Sequence, residues 1–337
     1  MEVKAKNVSL CIDEDRMIDE ALLDKYYEES EAGQELLIYR KGKRIDQSDL
    51  GLKLIKSGFE KVVQMRECDR KGCYLVKCAR GERRTPKLSI VVPMYNEGRT
   101  ADELLTRLIG HEWIMDTEII IVESNSSDGT RELAKAHAER HPDMVRLVLE
   151  DKPCGKGNAV LNGLKYATGD YYAIQDGDLE YDVDDYDRLL VPLINKETLF
   201  VLGSRHKKGD FRMRKFSESG GKSSMIEGYL NLGQKLLTGV INIACGSNLT
   251  DPFTMYKIFH KDCMYGIDFV GGKFGLDWEI VARFLRKGYK PVEMEVKYRA
   301  RSYAEGKKVE LIGNPLEGLK ALWYSKMIAD TYDYGDR

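Results

Sequence analysis

The sequence predicts an α/β fold with a mainly parallel sheet flanked by helices, preceded by a small α+β segment. From residue 88 onward, apolar strand-like runs alternate with helical patterns. Such alternation is typical of strand–helix–strand units, which build parallel sheets through right-handed crossovers. A polar stretch that contains Gly81 and Pro86 marks a boundary before this region. We therefore predict a small α+β domain of unknown role at residues 1–85 and a larger α/β domain at residues 86–337.

The N-terminal part contains three strand-like runs and one helical pattern. The strands are expected at Glu35–Tyr39, Lys61–Met65 and Cys73–Cys78, and the helix at Leu50–Lys56, ending at Gly58. No glycine-rich cofactor loop accompanies these elements in the sequence. We therefore expect a structural or interaction module here.

Four further strands are expected in the larger part, at Leu88–Val92, Glu118–Val122, Arg146–Leu149 and Tyr171–Gln175. The first is apolar apart from Ser89 and largely β-branched, which is typical of a strand buried on both faces. Ligands of open parallel sheets bind beyond the carboxyl ends of the strands. The chemistry is therefore expected in the loops after the first, second and fourth of these strands.

Helices are expected at Ala101–Leu108, from Ser127 or Asp128 to about Arg140, at Asn158–Ala167 and at Asp277–Arg286. Thr100 and Glu103 have the spacing of a capping box for the first helix. Gly169 is expected to stop the third. Met225–Cys245 mixes apolar and charged positions, which fits either an ordinary core helix or a helix at a membrane interface.

Composition and charge exclude several classes of protein. The net charge of −2 argues against general nucleic-acid binding. The longest apolar stretch, Leu236–Cys245, has about half of the ~20 residues that a membrane-spanning helix needs. The charged N-terminus lacks the apolar core of a signal peptide. Seven cysteines, an odd number without a secreted-type framework, indicate a reducing compartment. We expect a cytoplasmic protein, in solution or peripheral at the cytoplasmic membrane face.

Acidic side chains stand directly after the fourth strand, in Asp176-Gly177-Asp178. Mg²⁺ and Mn²⁺ prefer carboxylate oxygens and often keep one or two carboxylates beside phosphate oxygens. Gly177 allows the backbone to turn so that both carboxylates approach one ligand. A D-x-D triplet by itself also occurs as a solvated turn. Its position at a strand end favours a metal and diphosphate site.

Seven ordered motifs between residues 87 and 310 resemble those of family 2 glycosyltransferases, which have the Rossmann-like GT-A fold. They are Pro93–Glu97, Glu123–Thr130, Gly155–Ala159, Asp176–Glu180, Gly203–Arg205, Thr250–Lys257 and Tyr298–Lys308. The later motifs are similar to the polyprenyl-phosphate sugar transferase branch, typified by dolichol-phosphate mannose synthases. The resemblance implies a metal-dependent inverting hexosyltransferase that uses a GDP- or UDP-linked sugar, Mg²⁺ or Mn²⁺, and a polyprenyl-phosphate acceptor.

The resemblance also implies roles for individual residues. The donor-nucleotide contacts would be Pro93, Tyr95, Glu97, Glu123, Ser124, Lys156, Asp176 and Gly177, and the metal ligands would be Asp176, Asp178 and Glu180. Glu123 stands where the family usually has Asp, which leaves open the identity of the nucleotide base in the donor. Glu180 stands where the branch often has Gln, which adds a negative charge. Lys156 lies in a glycine-flanked loop and is equally compatible with a surface lysine before a helix.

Two basic segments that contain glycine follow the acidic loop, at residues 205–215 and 299–308. A departing diphosphate and an anionic acceptor both need cationic partners, and arginine offers bidentate contacts to phosphate. The predicted acceptor or phosphate contacts are Arg205, Arg214, Arg299, Arg301 and Lys307. Arg205 and Asp178 are also predicted to be catalytic. A solvated charged face is the alternative interpretation of such runs.

Asp277 and Glu279 stand in the first turn of the last predicted helix, and both are catalytic candidates. Family 2 members that act on hydroxyl groups often keep an aspartate base in the corresponding helix. Complementarity to the helix dipole would explain these acids equally well. A lipid phosphate is already an anion and needs no strong base, so catalysis would then depend on positioning and leaving-group stabilisation.

Two alternative functions remain open at this point. The acceptor could be a soluble hydroxyl compound such as a glycan intermediate. The chain could also be an inactive nucleotide-sugar-binding scaffold. Peripheral membrane contact and homo-oligomer formation are open as well. A dinucleotide-dependent oxidoreductase is disfavoured, because Pro93–Glu97 stands where G-x-G-x-x-G would follow the first strand.

Overall fold

The structure is a computed structural model that describes residues 8–12, 20–31, 34–41, 47–65, 73–81, 85–206, 222–269 and 275–299. These residues form a four-stranded sheet and a seven-stranded sheet, with eight α-helices. None of the helices in these ranges is both long and apolar enough to cross a membrane.

The small sheet has the order β1-β2-β4-β3. Its strands are β1 (Val8–Ile12), β2 (Glu35–Lys41), β3 (Phe59–Met65) and β4 (Cys73–Arg80), and its helices are α1 (Glu20–Glu29) and α2 (Gln47–Lys56). β1 pairs with β2 in parallel, and β4 runs antiparallel to both of its neighbours. The three predicted strands and the predicted helix are present, whereas β1 and α1 are not predicted above.

The large sheet has the order β11-β9-β10-β8-β5-β6-β7. Its strands are β5 (Lys87–Met94), β6 (Asp116–Glu123), β7 (Val145–Leu149), β8 (Tyr171–Ile174), β9 (Phe200–Ser204), β10 (Lys257–His260) and β11 (Val292–Glu295). β10 runs antiparallel to β8 and β9, and all other pairs are parallel. The predicted mainly parallel α/β sheet is confirmed.

Six helices belong to this larger part. They are α3 (Ala101–Gly110), α4 (Thr130–Arg140), α5 (Lys156–Leu164), α6 (Tyr186–Ile194), α7 (Lys222–Cys245) and α8 (Gly275–Arg286). The expected capping box is wrong, because the Thr100 hydroxyl donates to the carbonyl oxygens of Glu97 and Gly177 instead. α5 ends at Leu164, ahead of the stop predicted at Gly169.

Close packing fixes α5 against the centre of the sheet. β5 is buried from Leu88 to Met94, as predicted for a strand covered on both faces. A Cβ added at Gly163 in α5 would lie 2.5 Å from a methyl carbon of Val91 and 2.8 Å from one of Val122. Only glycine allows this approach without displacement. The contact therefore determines where the N-terminus of α5, with Lys156, meets the edge of the sheet.

The two parts of the chain touch at their polar surfaces. The Nζ of Lys261 lies 3.1 Å from a carboxylate oxygen of Glu60 and 3.2 Å from one of Asp170. The Nζ of Lys196 donates to the carbonyl oxygen of Lys56 at 3.3 Å. The division between domains at residue 85 remains a prediction.

Candidate functional site

The loops after β5 and β6 are joined by hydrogen bonds at the carboxyl edge of the sheet. The Asn96 amide donates to the hydroxyl of Ser126 at 2.9 Å, and the Ser127 amide donates to the side-chain oxygen of Asn96 at 3.0 Å. The Glu97 amide donates to the hydroxyl of Thr130 at 2.9 Å. Asn96 has a φ of 53°, a conformation that asparagine adopts more readily than most residues. The first two predicted loops therefore form one continuous surface.

Asp176-Gly177-Asp178 lies against this surface, just after β8. A Cβ at Gly177 would be 3.2 Å from the carbonyl oxygen of Pro93, so a larger residue would push the two loops apart. Asp178 is 6% exposed, and its carboxylate accepts the Glu180 amide at 3.0 Å. The structure thus brings the predicted acidic turn and the predicted Pro93 loop together.

Lys156, at the first position of α5, forms an ion pair with Asp176. Burial disfavours the charge of this lysine, but Asp176 and then Asp277 outweigh that effect and raise the pKa of Lys156. The side chains of Lys156 and Asp176 keep 25% and 16% of their exposure. Lys156, which is predicted to contact the donor, therefore lies at the acidic turn. In this structure it pairs with Asp176 of that turn.

The acidic turn fits a divalent metal that is shared with phosphate oxygens. No group of three or more His, Cys, Asp and Glu side chains converges on one point within the described residues. Mg²⁺ or Mn²⁺ bound beside a diphosphate requires only one or two carboxylates, which Asp176 and Asp178 supply. The third predicted ligand, Glu180, accepts a hydrogen bond from the hydroxyl of Tyr298 at 2.7 Å.

Glu123 lies at the end of β6 and has no exposure. Its carboxylate accepts the Ser126 amide at 2.6 Å and the Asn125 amide at 3.3 Å, and it pairs with Arg131. The Glu123 side chain, which is predicted above to contact the nucleotide, is therefore buried and bound by neighbouring protein groups. It fixes the turn at Asn125, where φ is 57°.

Ser124 is buried, and its hydroxyl donates to the carboxylate of Glu150 at 2.7 Å. Arg131 donates to the carbonyl oxygen of Glu150 as well as to Glu123. Arg131 and Glu150 are not predicted above, because neither stands in a recognisable motif. Of the other predicted donor contacts, Tyr95 is 42% exposed and Glu97 is partly exposed.

Arg205 follows β9 and is paired internally. Its Nε and a terminal nitrogen each lie 2.7 Å from one carboxylate oxygen of Asp251, which is fully buried. Burial raises the pKa of Asp251, but the charge of Arg205 overrides it and the pKa is lowered. The guanidinium also lies over the ring of Tyr298 at 5.3 Å. Arg205 is therefore the internal ion-pair partner of Asp251, whereas the sequence analysis predicts that it contacts phosphate.

The two acids of α8 also have partners. An Asp277 carboxylate oxygen lies 3.3 Å from the Nζ of Lys257, which is fully buried and also donates to the carbonyl oxygen of Thr254. Glu279 is 1% exposed and lies 2.6 Å from Arg283 in the next turn. Glu279 is therefore enclosed in the packing of α8, whereas Asp277 keeps 18% of its side-chain exposure.

The second basic segment is described only at its start. The amide of Arg299 donates to the carbonyl oxygen of Glu180 at 2.8 Å, so the backbone of this segment is joined to the acidic loop. Arg214, Arg301 and Lys307 lie outside the described residues. Their predicted contacts with acceptor or phosphate stay predictions.

Comparison with known proteins points to the same region of the chain. The family model described as "Glycosyl transferase family 2" matches residues 89–250. A dolichol-phosphate mannosyltransferase of Pyrococcus furiosus is 25% identical over 227 residues, which are 66% of this chain and 60% of the relative. One of Mycosarcoma maydis is 33% identical over 131 residues, 37% of this chain and 44% of the relative. The chain thus spans less than two thirds of either relative.

Among solved structures, glucosyl-3-phosphoglycerate synthase of Mycobacterium tuberculosis, in complex with Mn²⁺, UDP-glucose and phosphoglyceric acid, has a TM-score of 0.50. It is 20% identical, and the match covers 71% of this chain and 79% of that one. The seven-stranded sheet and its helices thus have the GT-A fold. Residues 89–250 thus match family 2 glycosyltransferases, and the names of the curated relatives agree with the predicted resemblance to the polyprenyl-phosphate sugar transferases.

Proposed function

We propose that this chain transfers a sugar from a nucleotide-sugar donor to a polyprenyl-phosphate acceptor, with a divalent metal bound and with inversion at the sugar C1. The observation that carries the proposal is the position of the Asp176-Gly177-Asp178 turn, which contacts both the end of β5 and the start of α5. This is the edge of the sheet at which ligands of open α/β folds bind.

The donor would lie across the joined loops after β5 and β6. Tyr95, with 42% of its surface exposed, offers an aromatic ring to the nucleoside, and Pro93 and Glu97 flank it. Glu123 contributes by holding the turn through two amides and Arg131. The diphosphate would face Asp176, Asp178 and Lys156. Mg²⁺ or Mn²⁺ held by the two aspartates would supply positive charge to the departing diphosphate.

A phosphate acceptor is an anion at neutral pH, so the reaction needs no general base. An acceptor oxygen forms the new bond to C1 on the face opposite the diphosphate. The bond between C1 and the diphosphate oxygen breaks, and its electron pair leaves with that oxygen. The protein contributes by holding the two reactants in line and by offering Lys156 as a cation near the leaving group.

Helix α7 supports a lipid-linked acceptor. Leu232, Leu236, Val240 and Ile243 recur at helical spacing and are exposed, Ile243 by 88%. Gln234, in the same helix, donates to Asp251 at 3.2 Å. Asp251 lies in the loop before β10 and accepts the amide of Arg205 just after β9, so α7 is joined to the carboxyl end of β9. An apolar helix face beside the carboxyl edge suits a polyprenyl tail or the surface of the membrane that carries it. The two curated relatives are named for the same acceptor class.

A soluble hydroxyl acceptor is the second candidate. The observation in its favour is Asp277, which keeps some exposure and acts electrostatically on Lys156 beside the acidic turn. Its ion pair with Lys257 at 3.3 Å engages one of its carboxylate oxygens, which limits how it can face an acceptor hydroxyl. That pairing supports the phosphate acceptor.

The test is a transfer assay with the purified full chain, Mn²⁺ and a panel of UDP- and GDP-sugars, offered with polyprenyl phosphate or with hydroxyl acceptors. We expect transfer to polyprenyl phosphate, lost in Asp178→Asn and reduced by less than about tenfold in Asp277→Asn. Transfer to hydroxyl acceptors only, with loss of at least a hundredfold in Asp277→Asn, would favour the second candidate. Nucleotide-sugar binding without turnover on any acceptor would favour a scaffold.

A further inference from the structure

Four charged side chains alternate in sign across the site. Asp176 pairs with Lys156, Asp277 is the second carboxylate that acts on Lys156, and Asp277 pairs in turn with Lys257. The row links β8, α5, α8 and β10, and α5 packs against α8. Lys156 is the member of this row that stands between two carboxylates.

The two lysines of the row differ in how firmly the protein holds them. Lys257 has no exposure and is also fixed by the carbonyl oxygen of Thr254, so its position is set by the core. Lys156 keeps a quarter of its side-chain exposure and begins a helix after Gly155, which has a φ of 96°. A lysine side chain with a flexible stem can exchange one anionic partner for another nearby at small cost.

The pairing of Lys156 conflicts with a metal at the acidic turn. A divalent cation bound to Asp176 would stand next to the ammonium group, and like charges at contact distance repel strongly where solvent screening is reduced. Lys156 must therefore leave Asp176 before that carboxylate can become a full metal ligand. A donor diphosphate offers the lysine a new anionic partner at the same place.

We propose that Lys156 is an exchangeable counter-ion: it pairs with Asp176 in the free protein and moves to the donor diphosphate when a divalent metal binds Asp176. The inference rests on the proposed function, since it assumes a nucleotide diphosphate at this edge. Its consequence is that metal and nucleotide bind cooperatively: each tightens the binding of the other by the same factor.

The experiment measures Mn²⁺ binding to the full chain, from the electron paramagnetic resonance signal of free Mn²⁺, without nucleotide and with UDP or GDP. Lys156→Met is compared with wild type and with Lys165→Met, an exposed lysine just after the other end of α5. We expect Lys156→Met to bind Mn²⁺ about tenfold tighter without nucleotide, which corresponds to ~1.4 kcal/mol. The tightening of Mn²⁺ binding by nucleotide should shrink by a similar factor, and Lys165→Met should match wild type.

Two outcomes overturn the exchange. Equal Mn²⁺ affinity of Lys156→Met and wild type without nucleotide would show that the lysine does not compete with the metal. Equal tightening in Lys165→Met would show a general effect of removing positive charge. Lys156→Gln provides a second neutral variant should Lys156→Met fail to fold, which circular dichroism reports.

Asp178→Asn separates this inference from the proposed function. If Asp178→Asn weakens Mn²⁺ binding while Lys156→Met leaves it unchanged, the metal site stands and the exchange fails. If Asp178→Asn leaves Mn²⁺ binding unchanged, the metal site of the proposed function fails together with the exchange.

Discussion

Replacing Arg205 distinguishes a structural ion pair from a phosphate contact. The Arg205→Met variant would leave Asp251, which has no exposure, without the guanidinium that pairs with both of its oxygens. Removing one partner of a buried ion pair costs ~3–5 kcal/mol. For a domain of this size each kcal/mol lowers the melting temperature by ~2–4 °C, so we expect a decrease of about 6 to 20 °C.

The assay combines thermal unfolding with donor binding by the same variants. Lys297→Met is the control, because Lys297 pairs with Asp182 while its side chain remains 66% exposed, and its melting temperature should stay close to that of wild type. Donor affinity, measured below the melting temperature, should change much less than stability does in Arg205→Met. An unchanged melting temperature together with a large loss of donor affinity would refute the reasoning and restore the predicted phosphate contact.

Further outcomes follow from the same contacts. Asp178→Asn, or removal of metal with EDTA, should weaken donor binding by at least about tenfold without lowering the melting temperature of the nucleotide-free protein, as titration calorimetry would show. Gly163→Ala should cost ~1–3 kcal/mol in denaturant unfolding, because its Cβ would overlap Val91. Gly110→Ala, where a Cβ would meet nothing within 4 Å, is its control and should be neutral or stabilising; equal losses would contradict the packing argument. The pKa of Asp251 is lowered in the folded protein, so its contribution is complete above the ordinary value of ~3.9 and is lost as the pH falls through the lowered pKa. The melting temperatures of wild type and Arg205→Met should therefore converge only as the pH falls below about 3.9, and a gap that stays constant there would contradict the assignment.

The strands within the regular strand–helix alternation could be predicted from the sequence, including the short β7 and β8, and the later strands could not. β5 and β6 carry runs of Ile and Val, and both lie where they are predicted. β9, β10 and β11 are not predicted above: they have four or five residues each, and β10 includes a lysine and a histidine. The lysine is buried because Asp277 pairs with it, and that pairing depends on tertiary structure.

The candidate site shows the same division. The acidic turn is readable because its residues are adjacent in the sequence and directly follow a strand. The partners of Glu123, Arg205 and Asp277 are not readable. Arg131 lies on the next helix, Asp251 is 46 residues from Arg205, and Lys257 lies on an antiparallel strand that no simple pattern indicates. A sequence motif can suggest that a charged side chain binds a ligand. Whether that side chain instead pairs with another residue of the protein can be seen only in the tertiary structure.

Charged side chains that have internal partners are less available to a ligand, so fewer of the predicted charges can contact one. Glu123 pairs with Arg131, Arg205 with Asp251, and Glu279 with Arg283, and the predicted member of each pair keeps at most 9% of its side-chain exposure. The side chains of Asp176, Lys156 and Asp277 keep 16%, 25% and 18% of their exposure, and both carboxylates act on the lysine. In the proposed function, a diphosphate with its metal would bind beside these three groups and replace the pair between Lys156 and Asp176. We therefore expect substitutions of Asp176, Lys156, Asp277 and Asp178 to change donor affinity most. Substitutions in the enclosed ion pairs should mainly lower stability.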